Sequence, residues 1–130
     1  MDIEDYKKYG PIVVRLGMSF VFLWFGLNQI FNSEAWMIWL PQWAFNLPIE
    51  PTTFVLINGT FEVIFGGLLL LGLYTRVVAL FLTIHLFVIA FNIGYNDVGI
   101  RDFGLALATF SIFLNGMDDW CLDKKRNRSN

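Results

Sequence analysis

Four long apolar runs separated by polar links dominate the chain: IVVRLGMSFVFLWFGLNQIF at 12–31, TFVLINGTFEVIFGGLLLLGL at 53–73, VVALFLTIHLFVIAFNIGY at 77–95 and GIRDFGLALATFSIFLNGM at 99–117. Each is close to the roughly 20 residues that a helix needs to cross a hydrocarbon core about 30 Å thick. Read as strands they would be far too few to close a membrane barrel, and only helices and closed barrels satisfy their backbone groups in lipid. The pattern therefore predicts an all-α transmembrane four-helix bundle in a single integral membrane domain over 1–130, with a tail at 118–130. The first run does not read as a cleaved leader, although Lys7 and Lys8 precede it. It is too long, it lacks a small-residue cleavage site, and three more spans follow.

The links differ in kind. YTR at 74–76 is a tight turn that predicts antiparallel neighbours for the second and third spans, and NDVG at 96–99 is equally short. The first link, NSEAWMIWLPQWAFNLPIEPT at 32–52, is long and rich in tryptophan. Trp36, Trp39, Leu40 and Trp43 follow helical spacing, and Pro41 interrupts or restarts the helix. The link reads as an amphipathic segment lying at the membrane interface, either as an aromatic belt or as a lid over an outward-opening cavity.

Composition agrees with a membrane protein: 56% hydrophobic residues, 15% charged, and a mean hydropathy of +0.57. The net charge of -2 gives no basic excess for nucleic acid. The placement of charge is more informative. Lys7, Lys8, Arg15, Arg76, Lys124, Lys125, Arg126 and Arg128 fall on the side of the two tails and the 74–76 turn, and only Arg101 falls on the other. The positive-inside rule then puts both termini in the cytoplasm of a cell-membrane protein, with the basic tail against anionic lipid.

Polar residues inside the spans carry the candidate chemistry. An ionisable side chain at mid-membrane costs about 2.5–3.5 kcal/mol on insertion scales and faces the bundle interior with a partner. At a rise of about 1.5 Å per residue, Glu62 lies about 13 Å into the second span and His85 at a similar depth in the third. Asn58 shares a helix face with Glu62, and Asn92 shares one with His85. Gln29 closes the first span on the outer side, where Arg101 and Asp102 open the fourth. These seven residues form a candidate ligand-binding or proton-handling set in the outer half of the bundle. The alternative is interhelical hydrogen bonding alone. No metal-ligand spacing is visible, a single histidine cannot supply two axial haem ligands, and Cys121 alone excludes an internal disulfide. Gly104, Ala108, Ser111 and Asn115 form a small-residue face for close helix approach, with Gly66, Gly67 and Gly72 in the same role on the second span. At the cytoplasmic end, Arg15 and Arg76 lie at the right depth to meet Asp118, Asp119 or Asp123.

The stretches VVRLGMSFVFLWFGLNQIF, FEVIFGGLLLLGLYTRVVAL and IRDFGLALATFSIFLNGMDDWCLD resemble the DoxX-like family of small four-helix membrane proteins. The shared features are Arg15, the E-x3-G-x2-L-x2-G-L-x-T-R pattern from Glu62 to Arg76, Asp102 opening the fourth span, and the closing Gly116 to Asp123. Where the family often carries a lysine after the first span's final glycine, this chain has Gln29. The resemblance implies a membrane subunit of an oxidoreductase system, since family members include a subunit of a thiosulfate:quinone oxidoreductase. A quinone or lipid headgroup is then the expected occupant of the outer polar pocket, and a redox enzyme subunit an expected partner. The paired cysteines of related dithiol oxidoreductases are missing. Two other readings stay open, a homo-oligomeric transporter of a small solute or protons and a purely structural or assembly protein. Whether the chain is itself an enzyme is not decided by its residues.

Overall fold

The computed structural model describes residues 2–129 and is all-helical, with no strand among them. Four long helices, α1 (Tyr9–Phe31), α3 (Pro51–Leu71), α4 (Thr75–Ile93) and α5 (Asp97–Asn115), are accompanied by two short ones, α2 (Ser33–Trp36) and α6 (Leu122–Ser129). Three segments are long and apolar enough to cross a membrane: Ile3–Phe31, Pro51–Leu71 and Thr75–Ile93. The fourth expected span is also a helix of 19 residues, but Asp97, Arg101 and Asp102 sit in its first two turns.

The later three long helices begin and end about two residues earlier than the apolar runs, because polar residues start them and glycines stop them. Pro51 occupies the first turn of α3, where its missing N–H costs nothing. Asn96 caps α5, its side chain accepting from the N–H groups of Val98 and Gly99. Gly72, at φ 71°, closes α3 in the left-handed conformation and packs on Cys121.

Close packing couples α1 to α3 and α4 to α5, while the hairpin neighbours α3 and α4 touch less extensively. The sequence expectation that α3 and α4 would be adjacent holds, but the intimate partner of α3 is α1. Gly26 and Gly59 explain this. A methyl added at Gly59 would lie 2.8 Å from the Gly26 carbonyl oxygen, and one at Gly26 would lie 2.9 Å from that of Gly59. Only bare backbone permits the two helices to come so near. The expected small-residue face of α5 is not its packing face. Gly104 has nothing within 4 Å of an added methyl, and α5 buries Gly99, Asp102, Ala106, Thr109 and Ile112 instead. With Asp102 drawn inward, the residues four and seven further on follow it. Gly67 is likewise open, whereas Gly66 packs against Phe22.

The end carrying the termini is clamped by Arg15, whose side chain is 1% exposed. Its Nε and Nη2 donate to Asp118 at 2.6 and 3.1 Å, and Nη1 donates to the carbonyls of Leu69 and Leu70 at 3.0 and 2.6 Å. Carbonyls in the last turn of a helix lack intrahelical donors, so this one guanidinium both caps α3 and holds the segment after α5. Arg76 does not join the expected ion pairs. It lies over Gly116, with Nη2 3.5 Å from the Leu114 carbonyl. Asp123 is taken instead by the 72–74 turn: its N–H donates to the Gly72 carbonyl and its Oδ2 accepts from the Tyr74 N–H. Burial raises the Asp118 carboxyl, but hydrogen bonds from Arg15 and the Trp120 N–H, with the Arg15 charge, outweigh it and hold the group below the usual carboxylate range.

Two outcomes are expected. Gly59→Ala should cost about 1–3 kcal/mol through overpacking, whereas Gly104→Ala should be neutral or stabilising by up to about 1 kcal/mol, both read by thermal unfolding in detergent. A group with a lowered folded pKa contributes stability above its unfolded value and loses it as pH falls through the folded one. Unfolding of the wild type should therefore become easier below about pH 4. Asp118→Asn should be less stable at neutral pH and should show less of that acid-dependent loss.

Candidate functional site

The Gly26–Gly59 contact sets the position of the most polar region in the bundle. Gln29 follows Gly26 by one turn on α1, and a methyl at Gly59 would come within 2.8 Å of its Cβ. The bare glycine therefore admits Gln29 against α3, beside Asn58 and Glu62. Gln29 Nε2 donates to Glu62 Oε2 at 3.0 Å, and Asn58 Nδ2 donates to Gln29 Oε1 at 2.6 Å and to Glu62 Oε1 at 3.3 Å. From α4, His85 Nε2 lies 3.0 Å from Glu62 Oε1. The Glu62 side chain is 5% exposed and that of His85 17%. Phe61 flanks the imidazole, with ring centroids 4.7 Å apart. Both oxygens of the buried carboxyl are thus met by protein groups, as a polar group in an apolar bundle requires. Which atom donates in this contact depends on the tautomer of His85.

Above this cluster is a cavity of about 370 Å³, within the range of small-molecule sites. Its floor is polar and its walls are aromatic and aliphatic, with Phe25, Phe54, Leu86 and Ile89 from the long helices and Trp36, Trp39 and Trp43 from the first link. The link does not form one amphipathic helix. It runs as α2, a 3-10 turn at Met37–Trp39, a break at Pro41 and a second 3-10 turn at Gln42–Asn46. Trp36 packs edge-on against Phe25 and Trp43 edge-on against Phe54, so the segment borders the cavity at the end opposite the basic tail.

The seven residues singled out from sequence all line this cavity but fall into three groups. Gln29, Asn58, Glu62 and His85 form one hydrogen-bonded cluster. Arg101 and Asp102 form a separate pair, with Nε and Nη2 of the arginine 3.3 and 3.1 Å from Asp102 Oδ1. Asn92 joins neither group. Its Oδ1 accepts from the Trp43 indole N–H at 3.0 Å, and its amide donates to the Val88 carbonyl. Asn28, next to Gln29, turns outward and donates to the Trp24 carbonyl. Sequence reading did not find the Trp43–Asn92 bond or the Phe25 wall. Both depend on where an irregular link folds back, and periodicity carries no such information.

The architecture is that of a multi-pass membrane protein with a polar-floored cavity at one end of a helical bundle. The DoxX family model matches residues 10–94, from α1 through α4, and the chain belongs to the DoxX family. Comparison with curated proteins and with solved structures gave no match.

Gln29→Leu removes the donor to Glu62 Oε2 and should cost about 1–3 kcal/mol in thermal unfolding, the typical penalty for orphaning a buried acceptor. Adding Glu62→Leu should deepen that loss, because Asn58 Nδ2 then lacks both of its acceptors and His85 Nε2 its partner.

Proposed function

We propose that this DoxX protein is the membrane subunit of an oxidoreductase system, and that its cavity receives the headgroup of a membrane-borne molecule, a quinone ring or a lipid headgroup. The observation that carries this reading is the buried Glu62–His85 contact at the floor of a 370 Å³ aromatic-walled cavity. A headgroup entering past the tryptophans meets aromatic faces on its sides and amide, imidazole and carboxyl groups at its tip. The Glu62–His85 pair holds a proton at hydrogen-bonding distance and can exchange it with the bound molecule. Gln29 and Asn58 fix the carboxyl, and Asn92 holds Trp43 in the wall.

All four long helices cross the bilayer in this reading, including α5, whose charged residues gather at its outer end. Both termini and the Tyr74 turn lie in the cytoplasm of a cell-membrane protein, and the cavity opens outward. Support comes from the basic residues, eight of nine on the tail side. The transporter alternative finds less support, because the apolar core residues Leu69, Leu82 and Ile112 lie outside the cavity lining and favour a blind cavity over a passage.

A short-chain quinone analogue titrated into purified protein should quench the tryptophan fluorescence saturably, since three of the five tryptophans line the cavity. Glu62→Gln should keep the fold and weaken that binding about tenfold, the equivalent of 1.4 kcal/mol. Unchanged affinity would remove Glu62 from the site. A fluorescent-protein fusion at the C-terminus should mature in the cytoplasm, and a dark fusion, with an active periplasmic reporter at the same point, would overturn the orientation.

A further inference from the structure

Asp102 is the one carboxyl of the cavity that the protein leaves half-used. Its side chain is 9% exposed, yet Arg101 donates both of its hydrogen bonds to the same oxygen, Oδ1. Oδ2 has no protein donor among the described residues, and the residue faces the cavity. Arg101 does not offset this from inside. Its side chain is 53% exposed and its guanidinium lies 5.7 Å from the Phe25 ring centroid, at the rim.

A carboxylate oxygen can only accept, so whatever completes Asp102 must bring a donor. A quinone offers two carbonyl acceptors and leaves Oδ2 unmet. An anionic headgroup would face Asp102 and Glu62 together. An ammonium group brings three donors and a charge, giving the stronger, charge-assisted class of hydrogen bond. Aromatic side chains such as Trp36, Trp39 and Trp43 favour a cation further.

We propose that the cavity selects a ligand bearing a primary ammonium group, which binds Asp102 Oδ2 within the aromatic walls above Glu62. This rests on the reading of the cavity as a ligand site and names the chemistry it prefers. The ammonium belongs either to a free amine or to an ethanolamine lipid headgroup.

The test is a set of tryptophan-fluorescence titrations of the purified full chain in detergent with four probes: n-butylammonium chloride, short-chain phosphatidylethanolamine, phosphatidylglycerol with the same acyl chains, and the quinone analogue. Phosphatidylethanolamine should bind about tenfold tighter than phosphatidylglycerol, a comparison that needs no variant. Asp102→Asn, first checked for wild-type-like thermal unfolding, should weaken ammonium binding by a similar factor. Saturable binding of butylammonium at matched ionic strength identifies a free amine as sufficient, and binding of the lipid alone identifies the headgroup. Equal affinity for the two lipids with no butylammonium binding, or ammonium binding indifferent to Asp102→Asn, overturns the proposal. Binding of the quinone analogue without either ammonium probe also overturns it, but leaves the cavity as a ligand site. Silence from all four probes overturns both.

Discussion

A carboxyl buried among apolar helices must be met by other polar groups, and that requirement organises the half of this bundle away from the basic tail. Glu62 sits on a helix that is otherwise nearly all apolar, where an unpaired polar group is costly. Its partners come from α1, α3 and α4, so satisfying one side chain ties three helices together. The approach of α1 depends on Gly26 and Gly59 having no side chains, because any Cβ at either position meets the opposite backbone. Backbone contact and polar cluster support each other. Without the close approach Gln29 would not reach Glu62, and without Gln29 the carboxyl oxygen would have no donor.

The two ends of the bundle solve the same problem differently. At the end carrying the basic tail Arg15 is fully enclosed, and its guanidinium is consumed by Asp118 and two helix-end carbonyls. The Arg15 donors are matched, and the result is a structural lock, while Asp123 Oδ1 nearby is buried without a hydrogen bond, with Arg126 Nη2 3.5 Å away. At the opposite end the polar groups border open space, aromatic rings replace aliphatic packing, and Asp102 keeps an oxygen free.

Much of this was legible in the residues, and what was not has identifiable causes. Apolar length predicted the four long helices, and depth along two antiparallel spans brought Glu62 to His85. Helix rotation was less legible. The small residues Gly104 and Ala108 look like an interface, but Asp102 turns α5 so that Ala106 and Thr109 face inward. Pairing was only partly legible, because a tight turn makes α3 and α4 neighbours without making them the closest pair. The Trp-rich link gave its chemistry but not its path. Two 3-10 turns and Pro41 decide which tryptophan reaches Asn92, and short irregular segments leave no periodic trace.

The most direct measurement of the central claim is native mass spectrometry of the wild type and Glu62→Gln, each extracted gently from the membranes in which it was made. If the cavity is a ligand site built on Glu62, the wild type carries a non-covalent small-molecule adduct that the variant lacks, at equal folding. A bare wild-type protein, or an adduct retained equally by the variant, would contradict it and leave the polar cluster as packing between helices.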